Sequence, residues 1–95
     1  MIPANDILQR RDEIKNNLAQ AQWELALKLF IDFTQAFYPD YEIEAIVISS
    51  EYYDMEKEVR LGVKDSSDLR KEKNSITVRI LKTLSTATLK LPTYE

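Results

Sequence analysis

The sequence contains neither cysteine nor histidine. Without cysteine there is no disulfide, no thiolate metal ligand and no thiol nucleophile, and a reducing compartment is permitted. Without histidine the chain lacks the usual general base near neutral pH and the commonest nitrogen ligand of transition metals. The two absences together predict a protein that has no catalytic centre and binds neither a metal nor a cofactor.

Glycine and proline are scarce, with one glycine and three prolines in 95 residues. All-β domains need a turn every few residues and draw on both residue types. Their scarcity favours a few long elements, and the length and composition fit one domain with one core. We expect a single domain over residues 1–95, with its core region at 5–87 and a tail at 88–95.

Long apolar runs are missing as well, since no stretch approaches the roughly 20 residues that span a bilayer. The first twelve residues become charged too early for a secretory signal. The net charge of −3 and the pI near 5.0 argue against binding to anionic lipids or nucleic acid. These features predict a cytoplasmic protein that does not bind a membrane, with nucleic acid disfavoured as a partner.

Apolar residues recur at helical spacing in four segments, 5–19, 20–37, 42–60 and 68 to about 87. Proline at position 39 ends the second segment, because it lacks an amide hydrogen and disfavours helical geometry in the residue before it. Gly62 supplies the left-handed stop after the third segment. The expected N-caps are Asn5, Asp40, and Ser66 or Ser67.

Two of the segments contain more than one pattern. The third carries two apolar stripes, one formed by Ile43, Ile46, Val47, Ser50 and Tyr53 and a neighbouring one formed by Ile48, Tyr52, Met55 and Val59. Residues 43–48 and 75–80 also have the β-branched composition of short strands. The charged continuation over 51–60 favours helix for residues 43–48. For residues 75–80, propensity alone leaves the choice between helix and strand open.

Short loops between the first three segments favour antiparallel helices, and with a helical fourth segment the chain is predicted to have an all-α fold, a small antiparallel bundle of about four helices. The expected core residues are Trp23, Leu27, Phe30, Phe33, Ile46, Leu69, Ile76 and Ile80.

The triplet Arg60, Leu61 and Gly62, followed by Asn74 in the last segment, carries a family resemblance. The chain resembles effector-associated domains of the class eleven type, in which a helical hairpin precedes a serine-containing segment, an Arg-Leu-Gly turn and a final helix with a central Asn. Further matching positions are Ala26, Leu27, Ser49, Ser50, Tyr52 and Ile76. The chain departs from the pattern at Glu51, where a basic residue is usual, and at Val63, where a small polar residue is usual.

This resemblance implies helix for the last segment and a death-like arrangement of the bundle. It also implies an adaptor of prokaryotic conflict and immune systems, joined by contacts between like domains. The implied partner carries a related domain or an effector, such as a protease, a toxic effector or a signalling ATPase, and a homo-oligomer is a further expectation.

Charge is divided between the third and fourth segments. Residues 40–58 hold seven acids and one lysine, whereas residues 64–90 hold seven bases and three acids. The two surfaces attract each other within the fold, or the acidic surface of one copy meets the basic surface of another. The second interpretation makes the candidate partner-binding residues Glu51, Asp54, Glu56, Glu58, Arg70, Lys71, Lys73 and Arg79.

Two other functions compete with the adaptor. A stoichiometric inhibitor, resembling an antitoxin, would mask an enzyme by binding it. A nucleic-acid-binding domain would use the bases of the fourth segment on phosphates. Glu51, Asp54 and Glu58 share one helical face as metal-binding carboxylates do, but the bundle sites of that kind also use histidine, which is absent.

Overall fold

The computed structural model describes residues 4–89, which form four α-helices and one short 3₁₀ turn and contain no strand. The elements are α1 (Ala4–Ala19), α2 (Trp23–Phe37), the 3₁₀ turn (Pro39–Tyr41), α3 (Glu42–Arg60) and α4 (Ser66–Thr88). The predicted all-α class and the small bundle of four helices are confirmed. Both segments with strand-like composition lie inside helices. Of the expected tail, Thr88 still belongs to α4, and residues 90–95 lie outside the described part.

Consecutive helices run antiparallel, as their cross-contacts show. The Arg10 guanidinium near the start of α1 lies 5.3 Å from the ring centre of Phe37 at the end of α2. Glu58 near the end of α3 pairs with Lys64 just before α4, 3.5 Å apart, whereas Arg79 farther along α4 pairs with Glu51 earlier on α3. Connections of three to five residues are short, so each helix folds back along the previous one and packs antiparallel to it.

Two helices end in the same hydrogen-bonded turn. After α3, Gly62 has φ +76° and donates its N–H to the Val59 carbonyl, while the Val63 N–H reaches the Glu58 carbonyl. After α1, Ala21 takes the left-handed position with φ +59°, and the Gln22 N–H reaches the Asn17 carbonyl. This pair of bonds is the Schellman motif, and it confirms the stop predicted at position 62. The turn at 20–22 also explains why α2 begins three residues later than the sequence pattern predicts.

The N-caps predicted for α1, α3 and α4 are wrong. Asn5 lies inside α1, and Asp40 lies inside the 3₁₀ turn, so α3 begins after Tyr41 without a side-chain cap. The cap of α4 is Asp65, one residue earlier than Ser66. Its extended backbone brings the carboxylate to the Asp68 N–H at 3.0 Å, and the Ser67 hydroxyl donates to the same oxygen at 2.6 Å.

The core follows one side of each helix. Its fully buried large residues include Phe30, Phe33, Ile7, Ile14, Leu27, Ile48, Ile76, Ile80 and Leu84. Five of the eight expected core residues are buried. Trp23 and Leu69 are half-buried, with Trp23 packed at the edge of the core, and Ile46 is wrong because half of its side chain is exposed. The bundle buries the second apolar stripe of α3, so the first stripe faces outward.

Candidate interaction surface

The outward side of α3 is apolar where solvent would favour polar residues. Ile43 is 75% exposed, Ile46 50% and Val47 45%, and Ser50 is exposed beside them. These positions lie opposite the side that enters the core, which is formed by Ala45, Ile48 and Tyr52. Contiguous exposed apolar residues, unlike scattered ones, are typical of protein-binding surfaces. We call Ile43, Ile46, Val47 and Ser50 the α3 outer face.

The outward side of α4 is basic. It presents Lys71, Asn74, Ser75, Val78 and Lys82, which we call the α4 outer face. Val78 at its centre is 50% exposed. The acids of this helix, Asp68 and Glu72, are half-buried on the flanks. A positive surface with an apolar centre therefore lies on the helix next to the apolar face of α3.

Much of the predicted acidic and basic surface is paired within the fold. The Arg79 guanidinium donates to the Glu51 carboxylate across the α3–α4 contact. Glu56 accepts a hydrogen bond from the Tyr52 hydroxyl at 2.9 Å, and Glu58 pairs with Lys64. The attraction between the two segments thus operates within one copy at Glu51 and Arg79. Such exposed pairs contribute about 0–1 kcal/mol each to stability.

Lys73 is also engaged inside the molecule. Its ammonium lies 5.9 Å from the ring centre of Trp23 and 6.0 Å from that of Tyr52, and it is half-buried. A cation this close to two aromatic faces is attracted by both rings. Burial, followed by the hydrogen bond to Glu56, raises the pKa of Tyr52, so the phenol stays neutral and keeps its donor.

The remaining predicted partner-binding residues are exposed. Within residues 4–89, Asp54, Arg70 and Lys71 form neither an ion pair nor a hydrogen bond through their side chains. Of the positions that carry the family resemblance, Arg60 ends α3, Leu61 and Gly62 form the turn, and Asn74 is exposed on α4. Of the eight predicted residues, five are therefore bonded inside the fold or sit against aromatic rings, and three are exposed without such a bond.

No cluster in residues 4–89 has the donors of a metal site, because three or more acidic side chains nowhere converge. The three carboxylates that share a face of α3 thus have different roles, with Glu51 and Glu58 in ion pairs and Asp54 exposed. None of the helices in this part of the chain is both long and apolar enough to cross a membrane.

Comparison with known families identifies the family of this chain. The sequence profile of effector-associated domain 11 matches residues 9–88. The chain belongs to this family. The matched range begins inside α1 and ends at the last residue of α4, so it spans the bundle, including both outer faces. No curated protein and no solved structure matches the chain significantly.

Membership of effector-associated domain 11 confirms the resemblance carried by the Arg-Leu-Gly turn. It suggests an adaptor role in an effector system. The part of this effector-associated domain that sequence reasoning placed wrongly is the α3 outer face. The signal in the sequence was the presence of two apolar stripes on one helix, because a four-helix bundle cannot bury both of them.

Proposed function

We propose that this domain is an adaptor that brings an effector into an assembly by contacts between like domains. The observation that carries the proposal is the match to effector-associated domain 11 over residues 9–88. Proximity within the assembly activates the effector, and the domain itself performs no chemistry. The effector is a protease, a toxic effector or a signalling ATPase of a prokaryotic defence system.

The exposed surface of α3 and α4 supports this function. The α3 outer face offers apolar area, and Asp54, Arg70 and Lys71 offer charges that are not bonded within residues 4–89. Apolar side chains supply the free energy of association when they leave water, whereas charges set the choice and orientation of the partner. A protein partner both buries the apolar area and pairs with the charges of this surface.

The test is co-expression of the full chain with a protein that carries a related domain fused to an effector. An adaptor raises effector activity and forms complexes larger than one-to-one. A stoichiometric inhibitor instead lowers that activity in a closed one-to-one pair, and such a result would reject the proposal.

The surface is tested by reversing charge at Arg70 and Lys71 together. Light scattering should then show that assembly is lost, while circular dichroism remains helical because both side chains are exposed. Retained assembly would place the partner elsewhere. A mobility-shift assay with a duplex at increasing salt separates the nucleic-acid alternative, whose binding would fall steeply as salt rises.

A further inference from the structure

We infer that the α3 outer face of one copy of this chain binds the α4 outer face of a second copy, with Val78 seated among Ile43, Ile46 and Val47. This inference rests on the proposed adaptor function, because it assigns the surfaces through which like domains meet. It also replaces a contact based on charge alone with one that has an apolar centre.

The first argument is the burial of α3. The core side of this helix is already complete with Ala45, Ile48 and Tyr52, all buried within the bundle. The outer face carries larger aliphatic side chains than Ala45, yet it is 45–75% exposed at its three apolar positions. Aliphatic side chains left in water on one side of a helix gain free energy only if another surface covers them.

The second argument is charge complementarity. The acids near the α3 outer face are Glu42 and Glu44 in the first helical turn and Asp54 farther along. The α4 outer face carries Lys71 and Lys82 on either side of Val78. Two α3 faces packed on each other would bring acids together, whereas an α4 face brings ammonium groups to them.

The third argument is spacing. Asp54 lies eight residues after Ile46 on α3, about 12 Å along the helix, and Lys71 lies seven residues before Val78 on α4, about 10 Å. If the two helices cross antiparallel with Val78 against Ile46, Lys71 therefore meets Asp54. The same arrangement places Lys82, four residues beyond Val78, toward the acidic first turn of α3.

The charges needed for this contact are available. Asp54 and Lys71 form no ion pair within residues 4–89, in contrast to Glu51 and Arg79, which neutralise each other between α3 and α4. The intramolecular pairing thus takes up the charges between the helices and leaves those on the outer faces. Ser50 and Ser75 are small residues on the two faces that allow the helix backbones to approach.

The experiment uses the full chain in three variants, V47K, D54K and K71E, with sedimentation equilibrium as the measurement. Each variant alone should associate at least about tenfold more weakly than the wild type, because each damages one of the two faces. A mixture of D54K and K71E should recover association. The intact α3 face of K71E then meets the intact α4 face of D54K. In the other pair of faces, the lysine introduced in D54K attracts the glutamate introduced in K71E.

Mixtures with V47K distinguish the two faces. V47K mixed with K71E retains one intact pair of faces and should stop at a dimer. V47K mixed with D54K should not recover, because both substitutions damage the same α3 face.

The matched control is L25K, since Leu25 on α2 is exposed to the same extent as Val47, 45%, but lies on another helix. It should associate like the wild type, and all variants should keep the helical circular dichroism spectrum.

Three outcomes would overturn the inference. If K71E associates normally while V47K does not, two α3 faces pack on each other instead. If L25K weakens association as much as V47K, general stickiness and not this face is responsible. If the wild type stays monomeric but still raises effector activity on co-expression, the faces bind the effector-bearing partner, and the adaptor function holds without self-association. If the wild type neither associates nor raises effector activity, both proposals are rejected.

Discussion

At the scale of single residues, the two left-handed positions within residues 4–89 are filled by different residue types. Gly62 takes φ +76° without steric cost, and apart from its own chain neighbours no atom lies within 4 Å of the place where a Cβ would stand. Ala21 takes φ +59° with a Cβ, which costs an L-residue about 1–2 kcal/mol. The same turn is therefore relaxed after α3 and strained after α1.

Replacing Ala21 with glycine should stabilise the protein. The relief of strain exceeds the added freedom of the unfolded chain, and we expect a gain of about 0.5–1 kcal/mol in the free energy of unfolding. Thermal and urea unfolding followed by circular dichroism measure it. The matched control is Ala19→Gly in the last position of α1, where the backbone is helical and the change should instead destabilise. Equal effects at both sites would refute the assignment of strain to Ala21.

The cap of α4 gives a second prediction at this scale, for Asp65. The hydrogen bond from the Ser67 hydroxyl, followed by that from the Asp68 N–H, lowers the pKa of the Asp65 carboxyl. A carboxyl whose pKa is lower in the folded than in the unfolded state stabilises the fold above its unfolded pKa. That contribution disappears as pH falls through the folded pKa.

Asp65→Ala should therefore destabilise the protein at neutral pH, and its difference from the wild type should shrink as the pH falls below about 4, the ordinary pKa of aspartate. Urea unfolding at a series of pH values measures this. Asp40→Ala is the control, because Asp40 caps no helix in the structure and its loss should have little effect. A larger effect at Asp40 than at Asp65 would contradict the structure.

At the scale of helices, contacts between elements depend on side chains that the sequence pattern assigned to a partner. Lys73 on α4 lies over the rings of Trp23 on α2 and Tyr52 on α3, so it connects three helices. Lys71, two residues earlier, is exposed and makes no such contact.

Lys73→Ala should lower the free energy of unfolding by about 0.5–1 kcal/mol through loss of the two ring contacts. It should also change the fluorescence of Trp23, the single tryptophan. Lys71→Ala is the matched control and should stay within about 0.5 kcal/mol of the wild type. Indistinguishable unfolding curves for the two variants would mean that Lys73 does not join the helices.

The two sides of α3 differ most clearly at Ile48 and Ile46, which are two residues apart. Ile48→Ala should cost about 2–5 kcal/mol, because it opens a cavity in the core. Ile46→Ala should change monomer stability by less than about 1 kcal/mol, since its side chain is half exposed. Chemical denaturation at low protein concentration gives both values. The reverse order would show that the first apolar stripe of α3, not the second, enters the core.

At the scale of the whole molecule, self-association through the outer faces links stability to concentration. Only the folded state associates, so the unfolding temperature of the wild type should rise with protein concentration. It should rise less at high salt, which screens the pairing of Lys71 with Asp54. Scanning calorimetry over about a hundredfold range of concentration measures the effect. The V47K variant should show no such rise, and a concentration-independent wild type would argue against the assembly.

Much of the bundle was predictable from residues alone. The helical spacing of apolar residues located the four segments, and Pro39 and Gly62 marked the ends of α2 and α3 within a residue or two. The caps were not predictable in this way, because Ser66, Ser67 and Asp65 all have capping side chains. The backbone angles of the loop decided that Asp65, one residue earlier, takes the position.

The candidate surface was predicted less well than the fold. Charge asymmetry in the sequence singled out α3 and α4, but it treated all acids and bases alike. Only the packed helices separate Glu51 and Arg79, which neutralise each other, from Asp54 and Lys71, which stay exposed. The position of each side chain around its helix decides which charges are paired and which stay exposed. The net charge of a segment carries no information about that position.

The sequence pattern by itself determined the first three helices and their antiparallel order, because the spacing of apolar residues and the helix-breaking residues are local properties of the chain. The resemblance carried by the Arg-Leu-Gly turn gave the family and the fourth helix. The tertiary structure alone decided which stripe of α3 is buried. The spacing of apolar residues shows that a helix has apolar sides, but it does not show which of two apolar sides is buried. The bundle selected the side with Ala45, whose small side chain allows close packing, over the more hydrophobic side with Ile43, Ile46 and Val47, which was left to face outward.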